Sequence, residues 1–171
     1  MDKPKKLDRE KLYKYGEKSE NILYNIIKQY RNDVILTDRY NSFDFIIETD
    51  ERIILIELKT RAYIKKKFIT TYFPVSKITS YHKFKMDNKH KNKKISLLVC
   101  FGFPDKNIVI NEITDDELKN INFSYYIIQY KPDVFNNYIL TDNIYDGDKN
   151  VNIVIDDLKE AKYFFDIIAK Y

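Results

Sequence analysis

The chain has one cysteine, two histidines, three glycines and no tryptophan in 171 residues. A single cysteine, Cys100, excludes an internal disulfide and a zinc site built from several thiolates. Its setting in SLLVCF marks it as an inert buried thiol, in keeping with a protein used in a reducing compartment. Two histidines, His82 and His90, argue against zinc hydrolysis and histidine-rich nuclease motifs. Any bound metal would have carboxylate ligands, the donors that suit magnesium or manganese. Three scattered glycines exclude a Gly-rich phosphate loop. No apolar run approaches the roughly 20 residues of a membrane span, and the charged N-terminus offers no secretory signal. The expectation is an intracellular, cytoplasmic protein with no membrane partner; a phage or viral origin is compatible with this.

What the chain does contain is enough apolar residue, 44%, for one domain with a real core. The net charge of +4 is unevenly spread. Residues 1–59 balance to zero, residues 60–94 carry eleven Lys/Arg against one acid, and residues 95–171 balance to −6. A basic block of this density is what a phosphate backbone requires of a protein, although a solvated basic loop would look the same.

Periodicity divides the chain into alternating helices and strands. Asp8 caps a first helix that Gly16 is expected to break or bend, and a longer amphipathic helix then runs from Glu17 to Arg31. Glu20 lies on its apolar stripe with Leu23 and Ile27. Strands are expected at Asp33–Arg39, Phe43–Glu48, Arg52–Thr60, Ile95–Phe103, Asn107–Ile113 and Phe123–Tyr130, with weaker ones at Tyr138–Thr141 and Val151–Ile155. Residues 63–73 read as a strand or a basic loop. Ser76 is placed as the cap of a helix over Lys77–Met86, and Thr114 with Glu117 as a capping box. Asp156 is placed as the cap of a last helix over Asp157–Lys170. The fold class is α/β, with a mixed central sheet flanked by helices. One domain spans 1–171, with a core at about 10–110 and a C-terminal elaboration at about 111–171.

The informative stretch is NSFDFIIETDERIILIELKTR, residues 41–61. Two apolar strands joined by an acidic turn carry Asp44 on the first, and Glu57 and Lys59 on the second. Charge inside apolar strands is costly unless paired, hydrogen-bonded or bound to metal. If Glu48 pairs with Ile53, then Asp44 faces Glu57 and Lys59 follows on the same face. A slip of one residue would put the two acids on opposite faces. An acid two residues before a lysine recurs elsewhere in this chain, so the triplet alone means little. At Glu57–Lys59, however, it ends an apolar strand, after a strand bearing an acid and a helix bearing Glu20. The plain alternative is a set of exposed ion pairs on an edge strand.

Helix glutamate Glu20, strand aspartate Asp44, and Glu57-x-Lys59 on the next strand resemble the PD-(D/E)XK nuclease superfamily. The superfamily is restriction endonuclease-like and includes Holliday junction resolvases. The proline of the motif's name is replaced here by Phe43. The resemblance covers about residues 10–110 and implies a restriction endonuclease-like core and a Mg²⁺-dependent phosphodiesterase. The implied activity is a deoxyribonuclease, an endonuclease of junction-resolving or restriction/recombination type. It implies Mg²⁺ or Mn²⁺ on Asp44, Glu57 and the Leu58 backbone carbonyl, with Glu20 reaching the metal directly or through water. The catalytic set is then Glu20, Asp44, Glu57 and Lys59. Arg61, Lys65, Lys66, Lys67, Lys77, Lys83 and Lys85 would hold nucleic acid, most naturally DNA. A homodimer would suit cleavage of duplexes. The alternative function is a catalytically inactive nuclease-fold protein acting as a nucleic-acid-binding or assembly module.

Overall fold

The computed structural model describes residues 7–38, 40–87, 92–143 and 147–169. In chain order the elements begin with α1 (Arg9–Tyr30), β1 (Val34–Leu36), β2 (Phe45–Glu48) and β3 (Arg52–Thr60). There follow β4 (Thr70–Pro74), α2 (Val75–Met86), β5 (Lys94–Pro104), α3 (Asp115–Asn120) and β6 (Phe123–Gln129). The chain then forms α4 (Pro132–Phe135), β7 (Ile139–Asp142), β8 (Lys149–Val154), β9 (Lys159–Glu160) and α5 (Ala161–Ile168).

The fold is α/β around a mixed six-stranded sheet of order β1-β2-β3-β5-β6-β9. Strands β3 and β5 are parallel, and the other neighbours are antiparallel. A parallel pair needs a crossover, and β4 with α2 supplies it. Both central strands are nearly continuous apolar runs because both faces of the sheet are covered. On one face, Ile54, Ile56, Leu58 and Cys100 pack against Leu23 and Ile27 of α1 and Phe165 of α5. On the other, Ile53, Leu55, Leu97 and Val99 pack against Tyr81 of α2 and against Phe73, Val151 and Ile153 of a second sheet. That second sheet has the order β4-β8-β7. No helix among the described residues is long and apolar enough to cross a membrane.

The structure corrects several expectations. Gly16 does not divide the first helix, which is continuous over 22 residues. One glycine costs a helix only about 1 kcal/mol. Buried Tyr15, Ser19, Leu23 and Ile27 recur every fourth residue and hold both halves to the sheet. Residues 107–113 form a turn rather than a strand, because Ile110 and Ile113 fold back into a small cluster with Tyr15 and Ile121. Helix α2 starts directly after Pro74 with no side-chain cap, so Ser76 is not its cap. The last helix starts at Ala161, after a 3₁₀ turn over Ile155–Asp157 and the short β9. Tyr126 and Ile127 of β6 recruit residues 159 and 160 as an edge strand, which delays the helix. The capping box of Thr114 and Glu117 forms as read.

Nor is the C-terminal part an appendage to a core ending near residue 110. β6 and β9 complete the main sheet, and β8 pairs with β4 from the basic block. Arg61 shows how tightly that block is tied down. Its guanidinium is buried, donates to Thr71 Oγ1 at 2.8 Å and to the Tyr72 carbonyl, and lies 4.0 Å over the Tyr72 ring. Burial lowers its pKa. Expected to touch phosphate, Arg61 instead clamps the end of β3 to β4. Arg61→Ala should therefore destabilise the fold by about 1–3 kcal/mol in urea unfolding, since buried partners lose their donor. An unchanged unfolding midpoint would mean that the clamp adds nothing to the fold.

Candidate metal centre

The hairpin has the register on which the site depends. Glu48 pairs with Ile53 and Phe45 with Ile56, so Asp44 is one step beyond the ladder, on the side of Glu57. The Asp44 N–H still donates to the Ile56 carbonyl at 3.0 Å. Past this point β2 has ended, and the Leu58 N–H would lack a strand partner. The Asp44 carboxylate takes its place, accepting from Leu58 N at 2.6 Å through Oδ2. Backbone groups alternate along a strand, so the Leu58 carbonyl opens on the same edge as its N–H, beside Asp44. Thr37 fixes the backbone here: its N–H donates to the Asp44 carbonyl at 3.0 Å.

Glu57 is 1% exposed, an extreme value for a carboxylate. Its Oε1 accepts from Lys59 Nζ at 2.6 Å and from Lys77 Nζ at 2.9 Å. Lys77 also donates to the Ser42 carbonyl at 2.8 Å, which joins α2 to the loop before Asp44. Glu57 Oε2 is buried and has no hydrogen-bond partner among the described residues. Two carboxylates and two ammonium groups balance in charge, but the oxygens are not all satisfied. Burial, and secondarily the negative charge of Glu57, push the Asp44 pKa up to about 7. The Leu58 N–H and the Lys59 charge oppose that rise without cancelling it.

Glu20 approaches from elsewhere. Alternation sends Glu57 and Lys59 to the face of the sheet covered by α2, where Lys77 meets Glu57, whereas α1 packs on the opposite face. Glu20 is half-buried there. Its pKa is raised by burial and by the charges of Glu17 and Glu57, so it interacts with the site through space. It does not complete a ligand cage: among the described residues no three His, Cys, Asp or Glu side chains are grouped to hold a metal ion. The metal-ligating role expected for Glu20 is thus not formed as a direct contact. The available donors are Asp44, Glu57 and the Leu58 carbonyl. Magnesium is commonly held by one or two carboxylates and keeps several waters, so this set fits it. An unpartnered, buried carboxylate oxygen beside a second carboxylate with a raised pKa is the arrangement a divalent cation relieves.

The separation between α1 and the sheet depends on residues that carried no sequence signal. A Cβ on Gly102 would lie 2.9 Å from Ser19 Oγ and 3.1 Å from the Tyr125 ring, so any side chain there would push one of these away. Tyr125 Oη donates to the Ser19 carbonyl at 2.7 Å, and Tyr15 Oη to the Arg61 carbonyl at 2.6 Å. These bonds fix the height of Glu20 above the end of β3. Ser42 and Thr37 were likewise invisible: Ser42 acts through its carbonyl on Lys77, 35 residues on, and Thr37 through its N–H and hydroxyl on the Phe43 and Asp44 carbonyls.

The expected phosphate-binding lysines take different positions. Lys66 and Lys67 are exposed in a 3₁₀ turn, and Lys83 and Lys85 are exposed on α2. Lys65 lies 4.0 Å over the Tyr126 ring. Lys77 is not a surface contact but a partner of Glu57. Cys100 is buried, and burial raises its thiol pKa, as expected of an inert core residue. No protein-family model matches the chain, and no curated protein matches its sequence.

Proposed function

We propose that the protein is a metal-dependent nuclease that hydrolyses DNA phosphodiester bonds, an endonuclease with a restriction endonuclease-like core. The observation that carries this reading is the Glu57 carboxylate, buried with one unpartnered oxygen beside Asp44 and held by Lys59 from its own strand. An unmade buried hydrogen bond costs about 1–3 kcal/mol, so an open carboxylate oxygen in the interior favours a bound ligand over a purely structural ion pair.

A divalent ion on Asp44 and Glu57 would supply Lewis-acid stabilisation of the phosphate and a water of lowered pKa. The chain's own groups do the rest. Leu58 N–H fixes the Asp44 carboxylate, and Lys59 holds Glu57 while placing a positive charge where the phosphate gains negative charge. Lys77 fixes Glu57 from α2 and keeps the Ser42 loop against the site. Exposed Lys66, Lys67, Lys83 and Lys85 give sequence-independent attraction to the DNA backbone.

The experiment is incubation of the protein with supercoiled plasmid, linear duplex, branched DNA and RNA, in Mg²⁺, in Mn²⁺ and in chelator. Nicking or cutting of DNA that requires the metal and stops with chelator is the expected result. Binding without cleavage under every condition would overturn the reading and leave a binding module instead.

A further inference from the structure

Helix α2 carries Lys77, Ser80 and Phe84 at intervals of three and four, along one face. Lys77 starts that face at Glu57. About 10 Å further along the axis, at 1.5 Å per residue, Phe84 ends it. Between this face and the loop entering β2 lies an open cavity of about 590 Å³, lined by Asn41, Ser42, Phe43, Ser80, Lys83 and Phe84 among others. Its volume falls within the range of about 300–1,000 Å³ typical of ligand clefts. Ser42 borders both places: its carbonyl accepts from the ammonium that holds Glu57, and the residue lines the cavity. The cavity is thus joined to the candidate metal centre through Ser42, while Asp44, Glu57 and Lys77 lie outside its lining.

Its chemistry is mixed in a particular way. Phe43 and Phe84 meet edge to face, with centroids 6.3 Å apart; Phe43 is buried, and the partly exposed Phe84 ring it supports forms the aromatic floor. Asn41, Ser42 and Ser80 provide an amide and two hydroxyls, and Lys83 adds an exposed cation at the rim. Tyr40, next to the lining residues in sequence, is 93% exposed. An aromatic floor, hydrogen-bonding groups on the walls and the Lys83 cation at the rim match a base, a sugar and a phosphate, respectively, with Asp87 also on the lining. A base within a duplex is stacked on both faces and paired on its edge, so it cannot enter without being extruded.

We propose that this cavity receives one unpaired nucleotide next to the scissile phosphate, making strands with unpaired nucleotides the preferred substrate class over continuous duplex. The inference rests on the nuclease reading. Extrusion from a duplex costs stacking and pairing energy that single strands, flaps and gaps do not incur. The expected preference is about tenfold or more in kcat/KM, the scale of one stacked base.

The test compares cleavage of a single strand, a flapped duplex and a blunt duplex by the full chain and by Ser80→Trp, which fills the cavity. Lys83→Ala, an exposed position that leaves the fold intact, is the second variant. Binding of a 2-aminopurine-labelled single strand to Asp44→Asn is followed by fluorescence in parallel. Preference for unpaired substrates, lost in Ser80→Trp and weakened in Lys83→Ala, is the expected result. Equal cutting of all three substrates by every form overturns the cavity proposal and leaves the nuclease reading standing. If nothing is cut, the nuclease reading fails, and the fluorescence decides the cavity. A change on binding that Ser80→Trp abolishes supports an unpaired nucleotide there, and an unchanged signal overturns it.

Discussion

Asp44→Ala and Glu57→Ala are each expected to lower Mg²⁺-dependent DNA cleavage by about 10³-fold or more, with Lys59→Ala about 10²–10³-fold down. The reason differs for each. Glu57 offers the metal a buried, unpartnered oxygen, and no other described side chain stands in its place. Asp44 is the second carboxylate and is already aligned by Leu58 N–H. Lys59 contacts Glu57 directly, so its loss removes both a positioning bond and a positive charge. Because the three act as one unit, Asp44→Asn combined with Lys59→Ala should be little worse than Asp44→Asn alone. Asp44→Asn can still accept from Leu58 N, so its unfolding should remain cooperative while its activity is lost. Wild-type rates in Asp44→Asn, measured with purified protein free of contaminating nuclease, would remove Asp44 from the chemistry.

The second large effect is on stability. The Asp44 carboxyl has a folded-state pKa of about 7, against the ordinary value of 3.8. The folded protein therefore binds this proton more tightly than the unfolded chain does, and stability must fall as pH rises between those two values. The contribution is fully present below pH ~4 and lost by pH ~7, with a size on the order of 4 kcal/mol. Without metal, urea unfolding at pH 5 and pH 8 should show the loss, and Asp44→Asn should remove most of it. Mg²⁺ binds the ionised form, so at pH 8 it should restore about 2.7 kcal/mol at a concentration 100 times its Kd. A pH profile identical in wild type and Asp44→Asn would mean that the carboxyl is not perturbed. An absence of stabilisation by Mg²⁺ or Mn²⁺ at pH 8 would count against the metal centre itself.

The candidate site was legible in the sequence to an unusual degree, for a local reason. Asp44, Glu57 and Lys59 lie in one hairpin, and a short turn with alternating apolar residues fixes the register. Glu48 opposite Ile53 then places the acids on one side without help from the rest of the chain. Nearly continuous apolar runs made β3 and β5 readable, and the sequence alone determined the α/β class, the buried cysteine and the dense basic block.

Tertiary structure decided whatever depends on a partner far along the chain. Glu20 has a stripe position that sequence can assign, but the face of the sheet on which α1 packs keeps it out of a shared carboxylate cage. Lys77 and Arg61 are both cations of the basic block. One became the second ammonium on Glu57 and the other a buried clamp between β3 and β4, according to which strand end each met. The last helix lost its first turn to an edge strand because β6 offered Tyr126 and Ile127 for pairing. Periodicity reports which face of an element is apolar; it does not report which element covers that face. Burial, and with it the raised pKa of Asp44 and the unpartnered oxygen of Glu57, follows only from that second fact.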